Sequence, residues 1–529
     1  MTQRTTQSTR THRPAVGAAL LSAALALGIS GALAPATTHA KEITVALSAA
    51  FTTLDSYDSP DTITKAVGRA VYEGLMKFDR DMNPVPNLAE SVELSPDGLR
   101  YVFKLKHNVR FHDGTPFDAE AVKINFDRVL DPKNHLTRRA VYAFIDHVDV
   151  VDSHTVAFTL KHPHAGFLRR MAMNNAMIIC PNHIKKYAGT KGLAFNACGT
   201  GPYVQVEFNP SERFVVKKNP DYRIPGLPKL DGIRFIPVPE NATRAAMLRT
   251  GEADFITTVP VEQIKTLKAD ENLVVTAIPS IMQKHLDFNN YFKPFTDKRV
   301  RQAINYAINK EALAKVAYAG YAVPQYGLMA EQYPGAVKFG AWPYDPKKAR
   351  ELLKEAGYPN GFTTTLWSGY NDTTASKVIQ FLQQQLRQVG INVETKLLEP
   401  GVRSDLILNV TGAADSKSRL FYIGWSDGTL DPDQILRPLL HSKQQPPVYM
   451  NTSYYANPEF DKLIDAALVE TDEAKRKKLY GEAQRIAWDD APWAFLLFEM
   501  STGAHTKHLK HFEMRVDQSF DFSEAEWVE

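Results

Sequence analysis

The clearest secondary-structure pattern lies in residues 345–399, DPKKARELLKEAGYPNGFTTTLWSGYNDTTASKVIQFLQQQLRQVGINVETKLLE. Asp345 is typical of a helix N-cap, and Gly357 is typical of the residue that ends a helix. FTTTLWSG then predicts a strand, SKVIQFLQQQLRQVG a long helix, and INVETKLLE a second strand. This order predicts a parallel strand pair, and in parallel sheets ligands bind beside the carboxyl ends of the strands. The chain is therefore predicted to be α/β.

Alternating helices and strands are predicted on both sides of this segment. Before it, LRYVFKLKHNVRF has the alternation of a hairpin, and Asp118 can cap the helix AEAVKINFDRVL. Asn241 can cap the helix TRAAMLRT, Gly251 can end it, and ADFITTV follows as a strand. After it, FDKLIDAALVETDEAKRKKLYGEAQRIAWDDAP predicts two helices, and WAFLLFEM predicts a buried strand.

The composition is that of an ordinary soluble globular protein. Of the 529 residues, 44% are hydrophobic and 23% are charged, which excludes a disordered chain or a fibre. At about 150 residues each, the length corresponds to roughly three to four domains or subdomains. The 62 basic and 59 acidic residues give a formal charge of +3, too balanced for a dedicated nucleic-acid-binding protein.

The first forty residues have the pattern of a secretory signal peptide. Arg4, Arg10 and Arg13 precede the apolar run VGAALLSAALALGISGALA, and the ending THA predicts cleavage after Ala40. A membrane anchor is the alternative, but an Ala- and Gly-rich run of about 18 to 20 residues is marginal for crossing a bilayer. We therefore expect a periplasmic chain that is soluble once the signal peptide is removed.

Cys180 and Cys198 are the two cysteines of the chain. In an exported protein an isolated pair is typical of a disulfide. The bond would close a short loop and contribute roughly 3 kcal/mol to the free energy of unfolding. Two free buried thiols are the alternative.

The sequence shows no legible catalytic or metal-binding motif. HExxH and GxxxxGK[ST] are absent, and CGTGPY lacks the third glycine of a dinucleotide-binding loop. A metal site needs three or four converging ligands, so the histidine groups are expected to be solvated. We expect no enzymatic activity, no cofactor and no metal; a hydrolase with distant catalytic residues is the alternative. The histidines considered are His162, His164, His505, His508 and His511.

Aromatic and polar residues at the predicted strand ends are candidates for a small-ligand site. An Arg can hold a carboxylate through two parallel hydrogen bonds, an Asp can accept from an ammonium group, and aromatic rings can form walls. Asp431 before Pro432 could instead cap a helix, and Trp425 could be a core residue. The candidates are Trp367, Tyr370, Asn371, Arg403, Trp425, Asp427 and Asp431.

Six segments in order resemble the family of extracytoplasmic solute receptors for peptides and nickel in bacterial ABC importers. They are YVFKLKHNVRFHDGTPFDAEAV, CGTGPY, TRAAMLRTGEADF, VRQAINYAINKEAL, YDPKKARELLKEAGYPNGF and FYIGWSDGTLDPD. The resemblance covers nearly all of the chain after the predicted signal peptide. FTTLDSYD, PSIMQ, AGYAVP and FTTTLWS are most similar to members that bind glutathione.

The resemblance implies two lobes with a central cleft, the first lobe being discontinuous. Residues 41–74, 205–280 and 496–529 would form its main subdomain, and residues 75–204 an inserted subdomain that contains both cysteines. Residues 281–495 would form the second lobe. The hinges would lie near PSIMQ and WAFLLFEM.

The resemblance also implies a function. The chain would be a monomeric periplasmic receptor that binds glutathione or a similar short peptide and delivers it to a membrane permease. Peptide receptors of the family hold the ligand amine with an Asp three residues after a Trp, but Gly428 occupies that position here and Asp427 lies one residue earlier. A dipeptide, an opine, haem or a nickel chelate stays open as another ligand.

The resemblance assigns expected roles to individual residues. Arg403 and Arg138 match arginines of the glutathione-binding members, and Arg403 is expected to hold a ligand carboxylate. Asp427 or Asp431 is expected to hold the ligand ammonium. The expected walls and the side that closes over the ligand comprise Trp367, Trp425, Met282, Gln283 and Tyr57.

Overall fold

The chain folds around one large mixed sheet with helices packed against it, and it also contains a smaller separate sheet. The computed structural model describes residues 41–58 and 62–529, so the predicted signal peptide lies outside the described residues. Within those ranges no helix combines the length and apolar character needed to cross a membrane. The predicted α/β class is confirmed.

Strands and helices are interspersed along the first half of the chain. The strands are β1 (Glu42–Leu47), β2 (Met76–Phe78), β3 (Pro84–Pro86), β4 (Ala89–Leu94), β5 (Arg100–Leu105), β6 (Ile145–Asp152), β7 (Thr155–Leu160), β8 (Tyr203–Asn209), β9 (Arg213–Lys218), β10 (Gly232–Pro237) and β11 (Phe255–Thr257). The helices are α1 (Thr62–Gly68), α2 (Ala119–Leu130), α3 (Arg139–Tyr142), α4 (Phe167–Met171), α5 (Pro181–Lys186), α6 (Asn241–Thr250) and α7 (Ile264–Lys268).

The second half contains the longest strands and helices. Its strands are β12 (Leu273–Phe288), β13 (Ala322–Pro324), β14 (Phe362–Ser368), β15 (Ile391–Leu397), β16 (Leu420–Trp425), β17 (Trp493–Thr506), β18 (Leu509–Lys510), β19 (Glu513–Met514), β20 (Phe520–Asp521) and β21 (Glu526–Trp527). Its helices are α8 (Lys298–Ala307), α9 (Lys310–Tyr318), α10 (Pro346–Glu355), α11 (Thr373–Arg387), α12 (Pro400–Arg403), α13 (Asp433–Leu440), α14 (Pro458–Val469) and α15 (Glu473–Asp490).

Two long strands form the centre of the large sheet. The strand order is β15-β14-β16-β12-β17-β11-β1-β10-β9-β8, with β13 also paired to β17. β12 and β17 run antiparallel over most of their length. Three strands from residues 362–425 therefore lie on one side of the central pair, and five strands from residues 42–257 lie on the other.

The predicted strand–helix–strand unit is confirmed. β14 and β15 are parallel, from the pair Phe362 and Ile391 to the pair Ser368 and Leu397. The connecting helix α11 buries one apolar stripe against the sheet, as expected from its 3.6-residue period. Ser368 ends β14 and Trp425 ends the neighbouring parallel strand β16, so the residues that follow both strands share one edge of the sheet.

The central pair is irregular at the PSIMQ segment. The register of β12 on β17 shifts between Pro279 and Gln283. Within the shift, the Ile281 N–H donates to the Val516 carbonyl at 3.0 Å. β12 thus stays paired with β17 in a shifted register, and from Gln283 it also pairs with β16. A hinge was expected at this position and stays a prediction.

The segment 75–204 contains the separate four-stranded sheet, in the order β4-β5-β7-β6. β5 pairs with β4 and β7, so the predicted hairpin was wrong: its second half turns away and forms an isolated bridge between Arg110 and Pro116. The predicted disulfide between Cys180 and Cys198 is confirmed.

The helix caps follow the sequence signals with one exception. Asp118 accepts from the Ala121 N–H and Asp345 accepts from the Lys348 N–H, both at 2.9 Å, as predicted. The predicted cap Asn241 was wrong, because Glu240 accepts from the first free N–H groups of α6 instead. The longer glutamate side chain reaches back to those donors, and Asn241 is already helical.

Candidate ligand-binding site

Three adjoining pockets form a cleft beside the ends of β14 and β16. The apolar pocket has a volume of about 680 Å³, the polar pocket about 1060 Å³, and the outer pocket about 1350 Å³. Trp425 lines the apolar and polar pockets, and Tyr370 lines the apolar and outer pockets. The polar pocket lies between residues 62–175 on one side and residues 425–449 on the other.

Trp425 is a wall shared by two pockets rather than a core residue. It is half-buried, and its indole Nε1–H donates to the Gln434 carbonyl at 3.0 Å. That bond ties the end of β16 to the first turn of α13 and fixes the orientation of the ring. A ring fixed in this way presents a flat surface to a ligand without losing conformational entropy when the ligand binds.

Asp427 lies in the polar pocket with its backbone held in place. The Tyr333 hydroxyl donates to the Asp427 carbonyl at 3.0 Å and accepts from the Asp427 N–H at 3.1 Å. Asp427 Oδ1 accepts from the Thr429 N–H at 2.9 Å and from the Thr429 hydroxyl. The carboxylate is therefore positioned from one side and half-exposed to the pocket.

Asp431 does not line any of the three pockets. It caps the start of α13 instead, which was the alternative interpretation of this residue. It is fully buried, its Oδ1 accepts from the Asp433 N–H at 3.1 Å, and Arg476 Nη2 lies 2.6 Å from the same oxygen. Burial alone would raise the pKa of Asp431, but the charges of Arg476, His164 and Arg170 hold that pKa below its ordinary value.

Arg170 is a buried cation that sequence reasoning missed. Only 8% of the residue is exposed, it lines the polar pocket, and its Nε is buried without a hydrogen-bond partner. Among the described residues no carboxylate oxygen lies within 4 Å of its guanidinium. The predicted Arg138 lies at the start of α3 and lines the same pocket, so two arginines of the 75–204 segment face it.

Asn175 is a second polar group that sequence reasoning missed. Its Oδ1 accepts from the Tyr142 hydroxyl at 2.9 Å, while its Nδ2, fully buried, has no partner in the described structure. Tyr57 lies behind this pair: its ring centroid is 6.2 Å from that of Tyr142, and it is completely buried. Tyr57 therefore supports the wall of the pocket and does not line it.

Arg403 lines the apolar pocket at the far side of Trp425. Its Nη1 donates to the Gly369 carbonyl at 3.1 Å, which places the guanidinium beside the turn after β14. Tyr370 in that turn lines the same pocket. Trp367 packs against the apolar cluster that contains Ile407, and it does not line the pocket.

The floor of the apolar pocket carries a buried histidine and a buried aspartate. Burial raises the pKa of Asp287 to about 7, although its Oδ2 accepts from the Thr452 hydroxyl. Burial, helped by the charge of Lys284, lowers the pKa of His285 to about 3, so this ring is neutral at pH 7. His285 Nε2 lies 3.4 Å from Asp287 Oδ1.

The outer pocket has both polar and apolar walls and is more open than the other two. Asn371 is exposed at its edge, and Lys284 lies inside it with its Nζ 4.0 Å from the centroid of the Tyr370 ring. The Lys284 ammonium is 3.4 Å from a carboxylate oxygen of Glu499. This cation is therefore already paired.

The two hinge residues predicted to touch the ligand do not line these pockets. Met282 is half-buried with its N–H donating to the Ser280 hydroxyl at 3.1 Å. Gln283 is buried, pairs in register with Trp425 across β12 and β16, and accepts from Gln325 Nε2 at 3.3 Å. Their role in binding stays a prediction.

Of the predicted site residues, the structure brings Arg138, Trp425 and Asp427 together in the polar pocket, and Arg403 and Tyr370 beside them. Asp517 of the C-terminal tail also lines the polar pocket and was not predicted. A Cβ at Gly428 would lie 3.3 Å from Asp517 Oδ2, so a side chain at this position would require the Asp517 carboxylate to shift by a few tenths of an ångström. The glycine that breaks the family's Trp–Asp spacing thus faces an acidic residue.

The fold and the cleft define a class of protein, a two-lobed α/β binding protein. The chain belongs to the bacterial extracellular solute-binding proteins, family 5, whose middle-region pattern matches residues 83–447.

Relatives with similar sequences cover almost the whole chain. The glutathione-binding protein GsiB of Pectobacterium atrosepticum is 44% identical over 506 residues, which are 96% of this chain and 98% of that protein. The glutathione-binding protein GsiB of Escherichia coli strain K12 is 45% identical over 503 residues, covering 95% and 98%.

Solved structures share the fold. The periplasmic binding protein DppA of Helicobacter pylori, in complex with the peptide STSA, aligns with a TM-score of 0.78 and 29% identity, covering 92% of this chain and 98% of that one. The substrate-binding protein CtaP of Listeria monocytogenes aligns with a TM-score of 0.83 and 24% identity, covering 93% and 100%, and this likeness concerns the fold alone.

Proposed function

We propose that this chain is the periplasmic receptor of an ABC importer and that it binds glutathione, or a similar short peptide, in the cleft. The family, the two glutathione-binding relatives and the charges of the polar pocket support this assignment. The proposal includes no catalysed reaction. The ligand would be released unchanged to a membrane permease.

The charges of the cleft match those of glutathione. At neutral pH this tripeptide carries two carboxylates, one ammonium group and a thiol. Arg138 and Arg170 in the polar pocket, and Arg403 across Trp425, offer guanidinium groups for the two carboxylates. Asp427 offers a carboxylate for the ammonium group, and Asp517 lies in the same pocket.

The observation that carries the proposal is the state of Arg170. A buried guanidinium is costly unless a hydrogen-bonded anion compensates its charge. The described residues supply no such anion at close range, and the guanidinium faces a pocket of about 1060 Å³. A ligand carboxylate in that pocket would complete the pairing.

The walls of the cleft leave room for the rest of the peptide. The apolar pocket is lined by Ile407, Phe421, Ile423 and other apolar groups, so it suits the cysteinyl side chain better than a charged end. Arg403 at its side would then hold the glycine carboxylate, and Trp425 would separate the two ends of the ligand.

The two sides of the cleft are expected to close on the ligand as lobes. The expected lobes are residues 41–74, 205–280 and 496–529 with the insert 75–204, and residues 281–495. Closure would bring the arginines of the insert and Trp425 of the second lobe onto one ligand, and the closed form of a monomer would dock on the permease.

Calorimetric titration tests the ligand assignment. We expect the purified protein, after removal of any ligand carried through purification, to bind glutathione and to bind dipeptides more weakly. Arg403→Ala should weaken glutathione binding by about 2–5 kcal/mol, roughly thirty-fold to several thousand-fold, because a partly desolvated carboxylate loses its partner. Arg403→Lys should recover part of this loss, since an ammonium cannot make two parallel bonds.

Two other outcomes would change the assignment. Wild type that ignores glutathione but binds peptides such as the one in the Helicobacter pylori relative would identify a general short-peptide receptor. Hydrolysis of a bound peptide, followed by mass spectrometry, would contradict the binding role altogether. Tight glutathione binding that is unaffected by Arg403→Ala would contradict only the role of Arg403.

A further inference from the structure

Four side chains with metal-binding atoms converge in the 75–204 segment, apart from the three pockets. They are Asp113, Cys180, His183 and Cys198, and one potential ligand atom from each lies within 4.8 Å of all the others. None of the four lines the cleft. The two sulfur atoms are joined as the disulfide in this structure.

The backbone keeps the two cysteines together independently of the disulfide. The Cys180 N–H donates to the Cys198 carbonyl at 2.9 Å, and the Cα atoms are 5.4 Å apart. Both cysteines are buried, at 0% and 2% exposure. After reduction the two thiols would therefore remain adjacent.

The third and fourth groups are placed by local structure. Cys180 is the N-cap of α5, and His183 lies three residues later, so their side chains share one face of the helix. Asp113 Oδ2 accepts from Asn182 Nδ2 at 3.2 Å, which holds this carboxylate against the same helix. Its other oxygen accepts from the Thr115 N–H at 3.1 Å.

We propose that reduction of the Cys180–Cys198 disulfide converts this cluster into a Zn²⁺ site with two thiolates, one imidazole and one carboxylate. Zinc prefers four ligands of these kinds in a tetrahedron, with bonds of about 2.0–2.3 Å. Such bonds place neighbouring ligand atoms roughly 3.3–3.8 Å apart. The ligand atoms now lie within 4.8 Å of one another, so the side chains would have to shift by about an ångström to bind the metal.

The chemistry balances with a thiol as the reductant. Two molecules of a small thiol lose two electrons and two protons and become their disulfide, while the Cys180–Cys198 bond gains them and becomes two thiols. Zn²⁺ then displaces the two thiol protons. Because a sulfur in the disulfide cannot act as a thiolate, the oxidised chain should lack the site.

Metal titration of the full-length mature protein tests the proposal. One sample is left oxidised, and the other is treated with a trialkylphosphine, which takes up the oxygen of one water molecule while the disulfide gains two electrons and two protons. After removal of the phosphine without oxygen, we expect the reduced protein to bind one equivalent of Zn²⁺ against a coloured competing chelator. The oxidised protein should bind none at this site.

Cobalt identifies the ligands. Co²⁺ added to the reduced protein should give the thiolate-to-cobalt charge-transfer absorption and the strong visible bands of tetrahedral geometry, and Zn²⁺ should abolish both. His183→Ala and Asp113→Asn should each weaken zinc binding by more than the roughly 10- to 100-fold typical of changes outside the ligand shell. His162→Ala, an exposed histidine of the same segment, is the matched control and should change nothing.

A folding control and three possible results decide whether the zinc site exists. Both ligand variants keep the disulfide when oxidised, so a circular-dichroism comparison before reduction separates a lost ligand from a lost fold. Zinc binding that is equal in oxidised and reduced protein would overturn the proposal. So would a reduced protein that unfolds without binding zinc, or reduced variants of His183 and Asp113 that bind zinc as tightly as wild type.

Discussion

Two charged regions lie on either side of the segment from Trp425 to Asp433, and they differ in how their charges are paired. On the inner side, Arg476 Nη2 lies 2.6 Å from Asp431, and Arg437 Nε lies 3.0 Å from Asp433. On the outer side, Arg170 faces the polar pocket with no carboxylate within 4 Å among the described residues. The inner region pairs its own charges, although Asp431 Oδ2 is buried without a hydrogen-bond partner, whereas the outer region has a cation with no carboxylate at that distance.

The difference indicates which charges belong to the fold and which belong to the ligand. A buried ion pair is strongly destabilised when one partner is removed, because the remaining charge stays buried. Removing an arginine that has no close partner should lower the free energy of unfolding of the protein only a little. Variants of the two regions should therefore separate stability from affinity.

The largest expected effect is on stability, in Arg476→Met. This change leaves the Asp431 carboxylate fully buried without its cation, and it also removes a 3.2 Å bond to the Tyr480 hydroxyl. We expect the free energy of unfolding to fall by about 3–5 kcal/mol in urea titrations.

The double variant Arg476→Met with Asp431→Asn is the control for this pair. It removes both charges and should recover part of the loss. A single variant as stable as wild type would show that the pair contributes nothing and would remove the contrast between the regions.

The next effect is on affinity, in Arg170→Met. If the guanidinium holds a ligand carboxylate, glutathione binding measured by calorimetry should weaken by about 2–5 kcal/mol. The free energy of unfolding without ligand should fall by about 1 kcal/mol or less, since no carboxylate of the described residues lies within 4 Å of Arg170 and its charge acts on Asp431 less strongly than that of Arg476. A loss of stability as large as that of Arg476→Met would place Arg170 with the structural charges instead.

The sequence predicted the fold around these two charged regions better than it predicted the individual charged residues. Helix and strand periods with Asp345 and Gly357 as boundaries predicted the parallel unit, because those signals are local. Arg403, Trp425 and Asp427 line the pockets because they lie at or shortly after strand ends, and these strand ends share one edge of the sheet.

The missed residues lack such a local signal. Arg170 is one of two adjacent arginines in the helix FLRRM, and nothing in that pattern shows that one is buried in a pocket. Asn175 and Asp517 come from segments far apart in sequence that meet only in the folded chain. Asp431 looked like a ligand group because its partner Arg476 is 45 residues away.

A smaller effect is expected when the two aspartates of the segment are exchanged for asparagine. Asp427→Asn removes the charge that would hold the ligand ammonium and should weaken glutathione binding by about 1.5–3 kcal/mol, the usual contribution of a hydrogen bond to a charged group. Asp431→Asn should leave affinity unchanged and lower stability instead. Calorimetry and urea titration of both variants check the pair; equal affinities in the two variants would contradict the role of Asp427.

Asp287 is a third buried ionisable group, and it differs from Asp431 and Arg170 in its expected response to pH. Asp287 is 3% exposed on the floor of the apolar pocket, and no Lys or Arg of the described chain lies within 4 Å of its carboxylate. Burial raises its pKa to about 7, whereas an unfolded chain gives an aspartate a pKa of about 3.9. Between these values the folded state holds a proton that the unfolded state has lost. This contribution to stability is complete below pH 4 and is lost as pH rises towards 7, with a slope of about 1.4 kcal/mol per pH unit.

The variant Asp287→Asn should remove that slope, because its amide does not titrate. The free energy of unfolding of Asp287→Asn minus that of wild type should therefore become more positive by about 1.4 kcal/mol per unit between pH 5 and pH 6.5, and level off above pH 8. Urea titrations of ligand-free protein measure the difference, and the exposed Asp221→Asn is the control for the substitution itself. A difference that stays constant over this range would mean that Asp287 is ionised in the folded state and has found a partner. The fold would then pair the charge of Asp287 internally, as it pairs that of Asp431 with Arg476. The contrast would be confined to Arg170.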